Sequence, residues 1–426
     1  MSARERPFLS GLAVLVVGAV VIAALIAFWP APAVRQIAVP GADTQLIRRG
    51  EYIATAADCV ACHTAPGGAE YAGGRVFKLP FGSIVAPNIT PDPATGLGLW
   101  TAGEFVRAVR EGVGRHGEEL YPAFPYTSYA KMSEPDAVAL WAYLRTLAPV
   151  RHEVAQSDLR FPFDQRRLMR FWKALFFDRD SLPAVAERGE EWNRGRYLVD
   201  ALGHCGECHT PRNLLYAQKR GRALAGETVQ GWTAWNITSD RAHGIGEWSK
   251  AELHDYLKTG YAPGRAVASG PMAEAIHFSL SRLGDADLGA IAAYLQNVQP
   301  VARGPTPIAR AVPSSSSAQP AADSEGRRVF EGACMGCHLE TGEGRQSAVA
   351  SLLGRRSVRD PEGRNVMQVI LHGNQLDLPA EHAMMPAFAN TYSDAEIASA
   401  TQFVLARFGA VNAQVSAQDV HEARDD

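Results

Sequence analysis

The sequence predicts a mainly α protein built as three small domains in tandem behind an N-terminal apolar helix. Two observations carry this. All six cysteines of the 426-residue chain fall in three copies of one pattern, C-x-x-C-H. The stretch from Pro7 to Val34 carries no charge, and its apolar heart runs from Leu12 to Trp29. Composition is that of a globular protein, with 46% apolar and 20% charged residues, which excludes wholesale disorder. The net charge of −3 lacks the basic excess of a nucleic-acid binder. Six cysteines are also too few for a disulfide scaffold in a chain of this length.

The first element is residues 1–35. Arg4 and Arg6 precede the apolar run, which is long enough to cross a bilayer and long for a cleaved signal. We read it as an uncleaved anchor; a cleaved signal ending near Ala31-Pro32-Ala33 and a buried helix are the alternatives. Basic residues at the extreme N-terminus favour an orientation that places everything after about residue 36 on the periplasmic side of the inner membrane. Trp29 suits the outer interface.

The three motifs come next: Cys59-Val-Ala-Cys62-His63, Cys205-Gly-Glu-Cys208-His209 and Cys334-Met-Gly-Cys337-His338. Two thiols three positions apart on one helical turn can each form a thioether with a vinyl group of one haem. The adjacent histidine then reaches the iron. A redox disulfide or half a zinc site also uses C-x-x-C. But histidine occupies 12 of 426 positions, so a following histidine arises by chance about three times in a hundred per pair. Three from three points to three covalently bound haem c groups, and so to three cytochrome c-type haem domains in tandem behind a transmembrane helix.

The expected domains are 45–149, 191–300 and 324–410. Each has a glycine-led helical stretch before its motif, at Gly50, Gly195 and Gly326, and an amphipathic closing helix. Val138, Trp141, Leu144 and Leu147 form the first closing stripe, after Ser133 and Asp136. Leu288, Ile291, Ala292 and Leu295 form the second, at i, i+3, i+4, i+7. A capping box of Ser393 and Glu396 starts the third, ahead of Ile397, Ala400 and Val404. The first two domains are repeats. Asn88-Ile-Thr90 recurs as Asn236-Ile-Thr238, with Trp100 and Trp248 at equal distances beyond, and Ala72-Gly-Gly74 is echoed by Leu224-Ala-Gly226. Residues 301–323 read as a Pro/Ser-rich linker and 411–426 as a polar tail. The connector 150–190, with Phe161-Pro-Phe163 and Phe171-Trp-Lys-Ala-Leu-Phe-Phe177, is too aromatic for a free linker. It packs across the first two haem domains, offers a surface to a partner, or does both.

The sixth iron ligand separates electron transfer from ligand chemistry. Methionine sulfur opposite histidine gives a closed haem suited to electron transfer. We assign Met132, Met272 and Met385 as distal ligands, with Met367 and Met384 as competitors in the third domain and His116 as the fallback in the first. Aligning the closing helices puts Phe124, rather than Met132, nearest to the position of Met385.

Taken together, the chain resembles the three-haem cytochrome c subunits of membrane-bound periplasmic dehydrogenases acting on alcohol, gluconate, fructose, aldehyde or nicotinate. The resemblance spans about residues 45–408. It is carried by Asp58-Cys-Val-Ala-Cys-His-Thr64, Pro87-Asn-Ile-Thr-Pro-Asp92, Leu120-Tyr-Pro-Ala-Phe-Pro-Tyr126, Tyr129-Ala-Lys-Met132, Trp192-Asn-Arg-Gly195 and Cys208-His-Thr-Pro-Arg212. It implies an electron-transfer subunit rather than an enzyme by itself. A partner subunit would oxidise the substrate with a molybdenum cofactor, PQQ or flavin, and membrane quinone or a terminal oxidase would accept the electrons. Many relatives have Met where this chain has Phe124; that departure favours a molybdenum hydroxylase as partner by family analogy. Relatives are often anchored at the C-terminus, whereas here the apolar segment is N-terminal. The rival readings are an oxidase-linked or free-standing cytochrome without a dehydrogenase partner, and a haem enzyme such as a peroxidase, which would need an open haem.

Overall fold

The computed structural model describes residues 43–179, 181–302, 324–377 and 382–424, with scattered positions between 17 and 41. The expected anchor, apart from those positions, and residues 303–323 of the expected linker lie outside the described residues. Among the described residues no helix is long and apolar enough to cross a membrane. The chain divides into two compact units, one of residues 1–51 and 63–182, the other of 52–62 and 183–426.

In the first unit, a helix Ala102–Glu111 and the closing helix Glu134–Leu144 pack together. Thr101 and Glu104 make a reciprocal capping box that starts the former; Gly112, in the left-handed region, ends it. Ser133 caps the closing helix by accepting from the Asp136 amide. Val76–Leu79 and Gly82–Val85 form a hairpin, to which Asp158–Leu159 of the connector adds a third strand. Residues 150–182 of the connector therefore belong to this unit, and 183–190 to the other. Phe81 stacks on Phe163 at 4.3 Å between centroids, and Phe177 meets Tyr126 edge-on at 5.3 Å.

The second unit repeats the plan. Ser249 and Glu252 cap the helix Lys250–Thr259, which ends at left-handed Gly260. Glu227–Val229 and Trp232–Ala234 form the equivalent hairpin. The glycine-led helix Gly189–Tyr197 lies on the closing helix Asp285–Leu295, and in the third repeat Glu325–Val329 lies on Asp394–Gly409. Glycine is required at these crossings. A Cβ on Gly195 would stand 1.9 Å from the Ala290 carbonyl oxygen, and one on Gly326 2.1 Å from that of Ser399. In the first unit a Cβ on Gly50 would meet the Ala139 oxygen at 1.9 Å.

The second and third repeats share one unit rather than standing apart on a flexible tether. Asn365 donates to the Thr233 carbonyl and accepts from the Thr233 amide, and Leu376 joins Ala268 and Ile276 in a common core. The tail read as polar contains a helix, Ala417–Arg424, which buries Val420 and Ala423 in the core of Leu371, Ile397 and Leu405. Its apolar residues are too few to show as a stripe among the charged ones.

Candidate haem sites

Each C-x-x-C-H motif sits on a short helical turn: Cys59–Cys62, Gly206–His209 and Met335–His338. A π-helical stretch leads into the second and third, Leu198–Leu202 and Phe330–Cys334. In the first two repeats the residue before the first cysteine, Asp58 or His204, has positive φ (51° and 37°), which swings the chain sharply into the motif. The six cysteines form no disulfide. Burial pushes the thiols up, to about 12 at Cys205 and about 11 at Cys208 and Cys334, and pushes Cys59 up as well.

The three histidines share one arrangement. His63 Nδ1 lies 2.7 Å from the Pro87 carbonyl oxygen, His209 Nδ1 2.6 Å from that of Trp235, and His338 Nδ1 2.6 Å from that of Ala350. A carbonyl only accepts, so Nδ1 carries the proton in each case. Nε2 is thereby left with its lone pair for a metal. Burial holds all three below the usual imidazole range, which keeps them neutral. A neutral histidine with a committed Nδ1, beside a cysteine pair on one turn, fits a covalently attached haem c.

The Asn-Ile-Thr repeats explain how the carbonyls are placed. Asn88 Oδ1 accepts from the Thr90 amide at 2.9 Å and its hydroxyl at 2.7 Å; Nδ2 donates to the Val150 carbonyl at 2.7 Å. Asn236 does the same with Thr238, at 2.8 and 2.7 Å, and with Val301, at 2.8 Å. The asparagine pins the loop that follows the closing helix, and the preceding residue presents its carbonyl to the histidine. A second tie aligns the repeats. The His63 carbonyl accepts from Gly73 N and the His209 carbonyl from Gly226 N, both at 2.7 Å. The equivalent triplets are thus Tyr71-Ala72-Gly73 and Leu224-Ala225-Gly226, one residue off the register that the sequence comparison uses. In the third repeat a 3₁₀ turn at Ala348–Ala350 supplies the carbonyl without an asparagine. The acceptors Pro87, Trp235 and Ala350 carry no side-chain signal, and only the recurrence of Asn-Ile-Thr hints at two of them.

The methionines lie as follows. Met132 is fully buried, immediately before the Ser133 cap, whereas His116 is exposed. Met272 is half-buried at the start of the helix Pro271–Phe278, which packs against the core of Ala268, Ile276 and Leu376 and beside the Cys59–Cys62 turn. Met385 ends the strand His382–Met385, paired with Asn374, and packs inward. Its neighbour Met384 points out, 69% exposed, by strand alternation. Met367 is buried in the third core. Phe124 packs on the Tyr129 ring.

Residues 47–148 match the family model for cytochrome c, and residues 321–404 that for cytochrome c oxidase, cbb3-type, subunit III. The chain is 40% identical over 372 residues to a nicotinate dehydrogenase subunit of Pseudomonas putida, covering 86% of this chain but only 30% of that protein. It is 38% identical to the fructose dehydrogenase cytochrome subunit of Gluconobacter japonicus, covering 89% of this chain and 82% of the relative. It is 35% identical to the gluconate 2-dehydrogenase cytochrome c subunit of Pantoea cypripedii, covering 90% and 91%.

Proposed function

The chain belongs to the family of dehydrogenase-associated cytochrome c subunits, mostly helical proteins that carry covalent haem c, and from that premise we propose that it relays electrons through three haems. The relay runs from the catalytic subunit of a periplasmic dehydrogenase to membrane quinone or a terminal oxidase. Cys59 and Cys62, Cys205 and Cys208, and Cys334 and Cys337 hold the three haems. His63, His209 and His338 are the proximal ligands; Met132, Met272 and Met385 are the distal ones. The haem supplies a reversible one-electron couple, and the chain's own residues fix its potential and exclude other ligands. A molybdenum hydroxylase is the favoured partner, with PQQ or flavin subunits as the alternatives. The N-terminal apolar segment anchors the chain to lipid, with the haem domains in the periplasm.

The observation that carries this reading is the threefold recurrence of a histidine whose Nδ1 is bonded to a backbone carbonyl beside a cysteine pair. One measurement tests it. Intact mass of the protein, matured with haem-attachment machinery and stripped of loose haem by acid-acetone, should retain three haem increments. Two or fewer would refute the three-haem assignment. The match of residues 321–404 to an oxidase subunit favours the second reading, an oxidase-linked cytochrome. Purification from native membranes with a dehydrogenase subunit, rather than an oxidase, decides between them.

A further inference from the structure

The connector helix Met169–Phe176 is turned the wrong way round for a helix in water. Leu168, Phe171, Trp172 and Leu175 follow the i, i+3, i+4, i+7 spacing of an apolar stripe. In a soluble domain that stripe faces the core. Here Leu175 is 69% exposed and Leu168 41%, while Lys173 is 8% exposed. The charged face is the one turned inward. Lys173 Nζ donates to the Glu111 and Gly112 carbonyls, both at 2.7 Å, and lies 2.5 Å from Glu119 Oε2. Arg170 Nε lies 3.1 Å from Glu119 Oε1. These bonds hold the helix with Leu168 and Leu175 turned outward, while Phe171 and Trp172 are half-buried. Just upstream, Phe161 is 79% exposed and Phe163 is also exposed. Phe161 and Leu175 are the most exposed of these apolar side chains, and covering them with an apolar medium would be favourable.

Two features indicate what covers this face. Arg160, Arg167 and Arg179 flank it, giving the mixture of aromatic rings and long cations that lies at a bilayer–water interface. The Arg167 guanidinium also lies over the ring of Phe28, at 5.4 Å, so the connector meets the end of the N-terminal apolar segment. Phe28, Leu25, Val21 and Val17 of that segment are themselves exposed.

We propose that residues 161–177 are an interfacial membrane-binding face. It lies on the outer surface of the same bilayer that takes up the N-terminal segment, with its arginines on anionic phospholipid headgroups. Two attachments, one inserted and one interfacial, would fix the first unit's orientation to the membrane, which a single helix leaves free to swivel. The inference draws on the anchoring reading for the position of the bilayer near Phe28, and is independent of haem ligation.

Photolabelling tests it. Full-length, haem-loaded protein is reconstituted into vesicles of phosphatidylcholine and phosphatidylglycerol that contain a photoactivatable phosphatidylcholine, then irradiated, digested and mapped by mass spectrometry. Lipid adducts are expected in the peptides spanning 161–177. The Leu168→Glu/Leu175→Glu variant should lose them severalfold while N-terminal adducts and the haem spectrum stay unchanged. Labelling of 161–177 no stronger than that of the exposed Leu214–Tyr216 loop overturns the proposal. So does cross-linking of 161–177 to another protein in native membranes, which would make the face a subunit interface. Adducts at the N-terminal segment report the anchor separately, so failure of one attachment is distinguishable from failure of the other.

Discussion

At the scale of single residues, the imidazoles of His63, His209 and His338 are fixed from behind by carbonyls, so ring orientation is settled before any iron ligand is counted. What varies between the repeats is the opposite side. On the proposed ligation, replacing a distal methionine should lower the potential of one haem, because thioether sulfur favours ferrous iron. We expect Met132→Ala, Met272→Ala and Met385→Ala each to remove about one third of the near-infrared methionine-to-iron band, as for three equally ligated haems. Met132 is the critical case. If its buried side chain serves only packing, Met132→Ala will cost about 2–5 kcal/mol of stability and leave the band intact. Asp360 offers a second residue-level test. Burial raises it to about 6, with one carboxylate oxygen buried and unbonded. A carboxyl with a raised folded-state pKa gives stability that is whole below its unfolded pKa, near 4, and lost as pH rises through about 6. Relative to wild type, Asp360→Asn should therefore gain on the order of 2 kcal/mol between pH 4 and pH 7, measured by denaturant titration at each pH. None of this was visible in the sequence around Asp360, which carries no signal of the burial. The cysteine and histidine spacing was visible, because that chemistry is local.

Elements follow the same division between local and distant causes. Capping boxes at Ser393–Glu396 and the cap at Ser133 could be read directly, since both ends of each hydrogen bond lie within four residues. The register of the Tyr71-Ala72-Gly73 and Leu224-Ala225-Gly226 turns could not. It is set by where Gly73 and Gly226 reach the carbonyls of His63 and His209, across loops of unequal length. The glycines of the leading helices are legible only as a recurrence; their reason is the backbone crossing. At Gly195 two effects of an alanine oppose each other. Helix propensity would favour alanine by about 1 kcal/mol. The added Cβ would lie 1.9 Å from the Ala290 carbonyl oxygen, a contact that no rotamer relieves. Overpacking of this kind costs about 1–3 kcal/mol, and here it also prises the leading helix from the closing helix, so the clash wins. Gly195→Ala should lower the melting temperature, whereas alanine at Gly221, where a Cβ meets nothing within 4 Å, should leave it nearly unchanged.

For the whole molecule, composition and connectivity give different answers. A Pro/Ser-rich segment suggests independent domains, yet the second and third repeats share one unit. The residues that join them, such as Arg356, Asn365 and Leu376, look ordinary in sequence because their partners lie a hundred or more positions away. Arg356 is the most consequential. It donates to the Asn236 and His243 carbonyls, and its guanidinium stacks on the Trp235 ring at 4.6 Å. The Trp235 carbonyl is the one that orients His209. A residue of the third repeat thus bears on the loop that orients His209, the proposed proximal ligand of the second haem. Burial lowers the Arg356 guanidinium to about 10, which still leaves it charged at neutral pH. A fixed positive charge close to a haem stabilises the reduced form, which carries one electron more. Arg356→Ala removes that charge and loosens the Trp235 loop, and both changes act on the second haem. We expect its midpoint potential to fall by on the order of 50 mV, close to a tenfold change in a one-electron equilibrium. The third haem, although it belongs to the same repeat as Arg356, should move less. Spectroelectrochemical titration resolving the three haems checks this. A fall confined to the third haem would mean that the repeats tune their haems separately, despite the shared core.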